Sequence, residues 1–335
     1  MMEMQVKQEA AETSPLPGLL AHLAPGPLVS WGMLEVVGLF PVSTEQEQSR
    51  ARFVPPMRSL EVVGSPGYGT LVLRNRATDG VLVLPMHVAF FQPGVQNHAT
   101  SRVLLLDASE TLTADDCFCI QQAQSGTLRQ AQQRFCMLPL GLRRAAFELQ
   151  GVKDFSRLWT AIAAYSRRYG VNYGGHLERW LRPNFAQLLP YRQALEWQPG
   201  QVGAAFFLAG TLVGVEVAPN SAYWAELLPV LLIYCYGSAA LLAERQRRAP
   251  SRPTLNLEGL RDLDDLRQRL AEARRRERGE HLAQLCTVTS LHKQARPAEK
   301  HAGLRLLSIS HGGWLGQIVY AGSEVVYLSL FRSEL

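Results

Sequence analysis

Short apolar runs separated by turn residues dominate the first 125 residues of the chain. Ser65-Pro66-Gly67 and Gln92-Pro93-Gly94 are two of the turn signals between the runs. Several short strands at this spacing predict antiparallel pairing rather than β-α-β units. The predicted strands are Met33 to Phe40, Leu60 to Val63, Thr70 to Arg74, Val81 to Leu84, Arg102 to Asp107 and Asp116 to Gln121.

The pattern changes to a helical period in the middle of the chain. Asp154 is a suitable N-cap for a helix and Gly170 a suitable residue to end it. One or two further short helices are expected over His176 to Leu181 and Asn184 to Leu195, with a break at Pro183. The apolar residues at helical spacing in the first helix are Phe155, Leu158, Trp159, Ile162 and Tyr165.

A hairpin and a long apolar run follow. Val202 to Phe207 and Leu212 to Val217 flank a turn that contains Gly210, and Asn220 or Ser221 then caps a helix. This helix contains Leu227 to Ala243, a stretch without a charged residue. A spanning helix needs about 20 apolar residues, so we expect a buried core helix and no membrane span.

The segment Glu258 to Leu285 predicts an amphipathic helix whose polar face is densely charged. Gln284 to His301 resembles a loop, and strands return at Leu304 to Ile309, Leu315 to Tyr320 and Val325 to Phe331. We expect the charged helix to lie against one edge of the sheet or to project from it. Its apolar stripe comprises Leu260, Leu263, Leu266, Leu270, Leu282 and Leu285.

Together these elements predict an α+β fold in which a few helices cover antiparallel sheets. Residues 1–30, which are rich in proline from Ser14 on, are expected to form a flexible arm. Residues 31–243 are expected to form the main domain and 244–303 a charged helical and loop segment. Residues 304–335 are expected to return to the main domain.

Composition narrows the class of protein. Of the 335 residues 47% are hydrophobic and 19% are charged, which excludes a disordered chain. The net charge is +5, and the segment Glu244 to Lys300 carries this whole excess with 14 Lys and Arg against 9 Asp and Glu. A hypothesis of an acidic partner therefore concerns this segment alone.

The cysteines and the N-terminal sequence indicate a compartment. The first residues show no basic stretch followed by an apolar one, so no secretory signal is expected. The odd number of cysteines, five, then favours reduced thiols in the cytoplasm. Cys117, Cys119 and Cys136 lack a fourth ligand at a zinc spacing, so neither a metal nor another cofactor is expected.

The hairpin GQVGAAFFLAGTLVGVEV and the following NSAYWAELLPVLLIYCYGSAALL resemble a known bacterial family. It is the ARG and rhodanese-phosphatase-superfamily-associated protein domain family, where ARG stands for ADP-ribosylglycohydrolase. The opening strand MLEVVGLFPV, the unit LVLRNRATDGVLVLP and the closing strand VVYLSLF are similar to family segments in the same order. The resemblance covers about residues 31–335.

The chain resembles a divergent member of that family. Relatives carry an acidic Asp-Gly-x-Glu cluster after the strand–turn–strand unit, and then Gly-x-x-Gln-Asn-Arg. Here Pro85-Met86-His87-Val88 stands at the acidic positions, and the second motif reads Gly94-Val95-Gln96-Asn97-His98. The missing carboxylates favour binding over catalysis, so no catalytic residue is predicted.

Six residues are candidates for ligand binding. The amides of Gln96 and Asn97 and the imidazole of His98 can hydrogen-bond a base, a ribose or a phosphate, although amides also hold turns. His87 lies in an apolar run, where a histidine is more often a core residue, but it can converge with His98. Alternation along VGVEV predicts that Glu216 faces solvent; the alternative is a pocket shared with Gln201.

Arg274, Arg275, Arg276 and Arg278 form the densest basic run of the chain. The simpler interpretation is a solvated helix with i,i+4 ion pairs. The functional alternative is a surface for a protein partner. No aromatic residue is interleaved with these arginines, which disfavours single-stranded nucleic acid as the partner.

Three functions follow as hypotheses. The first is a non-catalytic cytosolic binding or adaptor module for a small nucleotide-like ligand; that this ligand is related to ADP-ribose is implied only by the resemblance. The second is a hydrolase acting on a nucleotide-linked or phosphorylated substrate, with His87 or His98 as the acid or base. The third is an unidentified protein partner that binds the charged helix.

Overall fold

The computed structural model describes residues 15–43, 50–91, 96–122, 134–152, 155–172, 174–246 and 258–334. Antiparallel sheets covered by helices form the α+β fold that the sequence predicts. In chain order the strands are β1 (Leu23–Trp31), β2 (Leu34–Pro41), β3 (Leu60–Gly67), β4 (Thr70–Asn75), β5 (Leu82–Leu84), β6 (Val88–Phe91), β7 (His98–Ala99), β8 (Leu104–Leu106), β9 (Thr111–Ala114), β10 (Phe118–Cys119), β11 (Arg134–Met137), β12 (Gly203–Leu208), β13 (Thr211–Val217), β14 (Arg296–His301), β15 (Leu304–His311), β16 (Trp314–Ala321) and β17 (Glu324–Arg332).

The helices follow the same chain order. They are α1 (Pro56–Ser59), α2 (Leu140–Glu148), α3 (Phe155–Arg168), α4 (Leu177–Ala194), α5 (Ser221–Val230), α6 (Gly237–Arg245) and α7 (Leu263–Val288). A π-helical segment, Leu231–Tyr236, joins α5 to α6, and 3-10 turns occupy Gly18–Leu20 and Leu291–Gln294. Asp154, the expected N-cap of α3, lies outside the described residues.

The largest sheet has the strand order β1-β2-β12-β13-β17-β16-β15-β14. Smaller sheets have the orders β10-β7-β6-β11, β3-β4-β9 and β5-β8. Successive side chains of a strand point to opposite faces, and here both faces are apolar. Phe206 belongs to a core with the helices and small sheets, whereas Phe207 belongs to a second core with Leu20 and Leu285.

The second core shows how α7 packs. Leu285 and Val288 are buried on the large sheet, and the Gln284 side chain bonds the backbone of the β12–β13 turn. The first turns of α7 are solvated, because Leu263 is 70% exposed and Leu270 38% exposed. One half of the helix therefore packs on a sheet face, while in the other half Leu263 and Leu270 are exposed and Leu266 is half-buried.

Part of the N-terminal segment that was expected to be a flexible arm is a β-strand. Ordered structure was expected near Trp31, but β1 begins at Leu23 and pairs with β2. Because the segment contains Pro25 and Pro27, its sequence does not predict a strand. β1 lies at the edge of the sheet and has a bulge between Pro25 and Leu28, and an edge or a bulge is where a strand tolerates proline.

Two other expectations were wrong. Helix α4 continues through Pro183, where the Asn184 side chain donates a 2.7 Å hydrogen bond to the Trp180 carbonyl oxygen, and Trp180 and Leu188 are buried on either side. The expected loop Gln284 to His301 contains the end of α7 and the edge strand β14. Because the side chains of β14 are largely exposed, its sequence lacks the alternating apolar residues that predict a strand.

The hairpin and the apolar helix have the expected structure. Ala209 and Gly210 both adopt positive φ, as a tight β12–β13 turn requires. The Asn220 side chain caps α5 by accepting a hydrogen bond from the Tyr223 backbone N–H at 2.9 Å. By length and composition Ser221–Arg245 is apolar enough to cross a membrane, yet 72% of its most apolar window is buried inside the protein.

Candidate functional site

A groove of about 400 Å³ lies where β6, β11, α4 and the π-helical segment meet. Its walls are mainly aromatic, and a carboxylate and a guanidinium stand among them. Phe185 is 40% exposed, and its ring centroid lies 6.3 Å from that of Tyr234. The lining residues are Phe91, Phe135, Cys136, Glu178, Leu181, Arg182, Phe185 and Tyr234.

Helix α4 supplies half of this lining. Glu178, Leu181, Arg182 and Phe185 stand at positions i, i+3, i+4 and i+7, so they share one helix face. This spacing is a sequence signal for the groove, and none of these four residues was among the predicted site residues. The opposite wall comes from Phe135 and Tyr234, residues about 100 positions apart that only the fold brings together.

Asn97 reaches the groove through Glu178, and its neighbour Gln96 is joined to Gln121, which also contacts Asn97. The Asn97 amide donates to Glu178 Oε2 at 3.2 Å and to Gln121 Oε1 at 2.5 Å. The Gln96 amide donates to the Gln121 carbonyl oxygen at 2.9 Å and to Cys119 Sγ. These amides therefore connect the segment after β10 with the start of α4, and thereby position a groove carboxylate.

His98 lies deeper in the protein. Its Nδ1 is 3.2 Å from the Gln96 carbonyl oxygen, and its Nε2 is 3.4 Å from Ser65 Oγ. Burial lowers the pKa of His98 to about 4, so the imidazole is neutral at pH 7. Gly94 and Val95, the start of this motif, lie outside the described residues.

His87 and Glu216 belong to a different cluster, built around the fully buried Arg143 of α2. The Arg143 Nη1 atom lies 2.6 Å from Glu216 Oε1, and its Nη2 atom donates to Ser329 Oγ at 2.6 Å. Tyr236 donates a 2.8 Å hydrogen bond to the same carboxylate oxygen. Burial disfavours the charged guanidinium, but Glu216 more than offsets this, so the pKa of Arg143 lies above its usual value.

The expected exposure of Glu216 was therefore wrong. β13 lies between β12 and β17 inside the sheet, and the other face of the strand is covered as well, so alternation does not lead to solvent. His87 is also fully buried, with Nδ1 3.3 Å from Arg143 Nε, and burial and Arg143 together lower its pKa. None of these residues lines the aromatic groove.

Gln201 has a local structural role. Its amide donates to the Gly203 carbonyl oxygen at 2.9 Å, and its carbonyl oxygen accepts from the Gln198 backbone N–H at 3.2 Å. The six ligand-binding candidates thus occupy four places. Gln96 and Asn97 lie beside the groove, His98 is buried next to Ser65, His87 and Glu216 belong to the Arg143 cluster, and Gln201 lies in the turn before β12. The shared pocket of Gln201 and Glu216 that was considered as an alternative does not form.

The family follows from a comparison of the whole chain with known proteins. The model of the ARG and Rhodanese-Phosphatase-superfamily-associated Protein domain family matches residues 32–331. The chain belongs to this family. No curated protein and no solved structure matches the chain.

Met86, His87 and Val88 are all fully buried. The positions at which the resemblance implied an acidic cluster in relatives therefore hold core side chains in this chain. Within the described residues, no group of three or more His, Cys, Asp or Glu side chains is placed to hold a metal ion.

The arginine run of this family member lies on α7. Arg274, Arg275 and Arg276 are exposed, and Arg278 donates to the Pro25 carbonyl oxygen of β1 at 3.3 Å. The run therefore stands at the transition between the solvated half of α7 and the half packed on the sheet.

Proposed function

We propose that the chain is a non-catalytic binding module that takes a small nucleotide-like ligand in the aromatic groove. The observation that carries the proposal is the chemistry of the lining. Aromatic faces stack on nucleobases, an arginine such as Arg182 binds phosphate through two parallel hydrogen bonds, and a carboxylate such as Glu178 accepts hydrogen bonds from ribose hydroxyls. The volume of about 400 Å³ is within the range of small-molecule sites.

ADP-ribose and related nucleotides are the ligands we favour within that class. They combine a base, riboses and phosphates, which matches the three kinds of side chain in the groove. The family's association with ADP-ribosylglycohydrolases supports the same choice.

The positions of the two histidines favour binding over hydrolysis. A general acid or base must come within hydrogen-bond reach of the substrate and have a pKa near the working pH. Neither His87 nor His98 lines the groove, and burial lowers the pKa of both. The hydrolase hypothesis loses the residues on which it rested.

The test is isothermal titration of the purified protein with ADP-ribose, NAD and AMP. We expect at least one to bind, and Phe185→Ala to weaken that binding by about tenfold, because a stacked base contributes about 1–3 kcal/mol. Phe185 is already 40% exposed, so its truncation leaves the core intact.

Trp197→Ala is the matched control, since Trp197 is an aromatic residue that is also 40% exposed and does not line the groove. It should bind as the unmodified protein does. Absence of binding for all three nucleotides, or equal affinities in the two variants, would overturn the proposal.

A further inference from the structure

A second cleft, of about 420 Å³, lies elsewhere in the molecule and shares no lining residue with the aromatic groove. It opens between the N-terminal turn, the 3-10 turn that follows α7, and the turn between β16 and β17. Its polar side chains come from His22, Arg50, His292, Tyr320, Ser323 and Glu324. The side chains of this cleft are mostly donors of hydrogen bonds, with one carboxylate at the β16–β17 turn.

Arg50 is the unusual residue of this cleft. It is only 2% exposed, and its Nη2 atom donates to the Val325 carbonyl oxygen at 2.9 Å. Its Nε atom is buried without a hydrogen-bond partner. A buried guanidinium with an unsatisfied N–H is costly, and an oxyanion is the group that satisfies it best.

The backbone around Arg50 is firmly held. The Asn220 side chain donates hydrogen bonds to the carbonyl oxygens of Arg50 and Phe53, at 3.1 and 2.9 Å. The same Asn220 caps α5, so the position of Arg50 is tied to a core helix. A cation fixed in this way costs little further ordering when a ligand binds.

His22 adds a second unsatisfied group. Its Nε2 atom is buried and has no hydrogen-bond partner. Burial, and then the charge of Arg50, lower the pKa of His22 to about 4, so the imidazole is neutral at pH 7 and offers one N–H. Arg50 Nε–H lacks an acceptor. An acceptor bound in the same cleft would also satisfy His22 Nε2 in the tautomer that carries its proton there.

We propose that this cleft binds the phosphate or carboxylate group of a small metabolite, held by the Arg50 guanidinium and the His22 imidazole. The site is independent of the aromatic groove and of the function proposed for it. Glu324, the exposed first residue of β17, lines the same cleft, so its negative charge opposes the anion.

The experiment is isothermal titration of the full chain with inorganic phosphate, pyrophosphate and citrate. At least one should bind saturably. Glu324→Gln should tighten that binding and Ser323→Glu should weaken it, each by about three- to fivefold, as expected for one exposed charge a few ångströms away. Ser323→Gln has the same size as Ser323→Glu without its charge, so Ser323→Glu should bind the anion about three- to fivefold more weakly than Ser323→Gln if the charge is responsible.

The exposed variants keep the test valid even if Arg50→Gln, which should abolish binding, also unfolds the protein. Preference for the phosphates assigns a phosphorylated metabolite, and preference for citrate assigns a carboxylate. Phe185→Ala should not alter anion binding, which separates this site from the groove. No saturable binding of any probe, or equal affinities in Glu324→Gln, Ser323→Glu and the unmodified chain, would overturn the proposal.

Discussion

At the scale of single residues, the Arg143–Glu216 pair places two opposite charges in the core of the protein. Both side chains are at most 2% exposed. Arg143 also donates to His87 and Ser329, and Glu216 also accepts a hydrogen bond from Tyr236. Removing two charges from water is costly, and this cost is recovered only while both partners are present. The pair therefore makes the core sensitive to the loss of either charge rather than exceptionally stable.

Glu216→Gln tests this sensitivity because it retains the shape of the side chain and removes the charge. We expect a loss of about 3–5 kcal/mol in the free energy of unfolding, measured by urea denaturation, since Arg143 is left buried and uncompensated. The double variant Arg143→Met, Glu216→Leu should recover much of the loss. An unchanged urea midpoint for Glu216→Gln would contradict this interpretation.

Arg144→Ala is the matched control for the pair. Arg144 is the next residue of α2, but it is exposed, and its ion pair with Glu148 is exposed as well. Removing it should leave the urea midpoint unchanged, because surface ion pairs contribute little.

At the scale of elements, α7 has two halves with different energetics. Leu285→Ala should cost about 2–5 kcal/mol, because it leaves a cavity in the second core. Leu263→Ala should cost less than about 0.5 kcal/mol, because the side chain is already mostly in water. Urea denaturation of the two variants measures both values, and equal losses would show that the leucines near the start of α7 are covered in solution.

The same elements show how far the sequence predicts the fold. The β12–β13 hairpin and the Asn220 cap were predicted correctly because short-range turn and capping chemistry determines them. β14 and the continuation of α4 through Pro183 were missed, because pairing with β15 and the burial of Trp180 override the local signals. Long-range contacts decided these elements.

The candidate sites show the same limit. The sequence identified Gln96 and Asn97 beside the groove but none of the aromatic residues that form its walls. The burial of Arg143 was not predicted either, because its partner Glu216 is 73 positions away in the chain. No local pattern distinguishes a core arginine from the exposed Arg144 beside it.

At the scale of the whole molecule, the buried histidines make stability depend on pH. The pKa values of His22 and His98 are lowered from 6.5 to about 4, and that of His87 is lowered as well. Below pH 6.5 the unfolded chain therefore binds protons at these histidines that the folded chain does not bind, so stability falls on acidification towards pH 4.

His281 affects the pH dependence of stability in the opposite direction. Burial opposes its protonation, but its 2.6 Å contact with Glu35 raises its pKa above 6.5.

Unfolding free energies at pH 8 and pH 5 test this balance. The stability that His281 contributes is complete below pH 6.5 and is lost as the pH rises through its folded pKa. Glu35→Gln removes this contribution, so its stability should fall more steeply from pH 8 to pH 5 than that of the unmodified chain. His98→Gln should fall less steeply, since it removes a buried neutral histidine. Identical slopes in all three proteins would refute the assignment.

The position of β17 has a consequence for synthesis on the ribosome. This strand lies between β13 and β16, so residues 324–332 join two parts of the large sheet that are made earlier. Until they emerge from the exit tunnel, β13 has an unpaired edge and Arg143 lacks the Ser329 hydroxyl. The open edge of β13 therefore stays unpaired while residues 218–324 are added. A ribosome stalled in this interval would display a surface for chaperones or for aggregation.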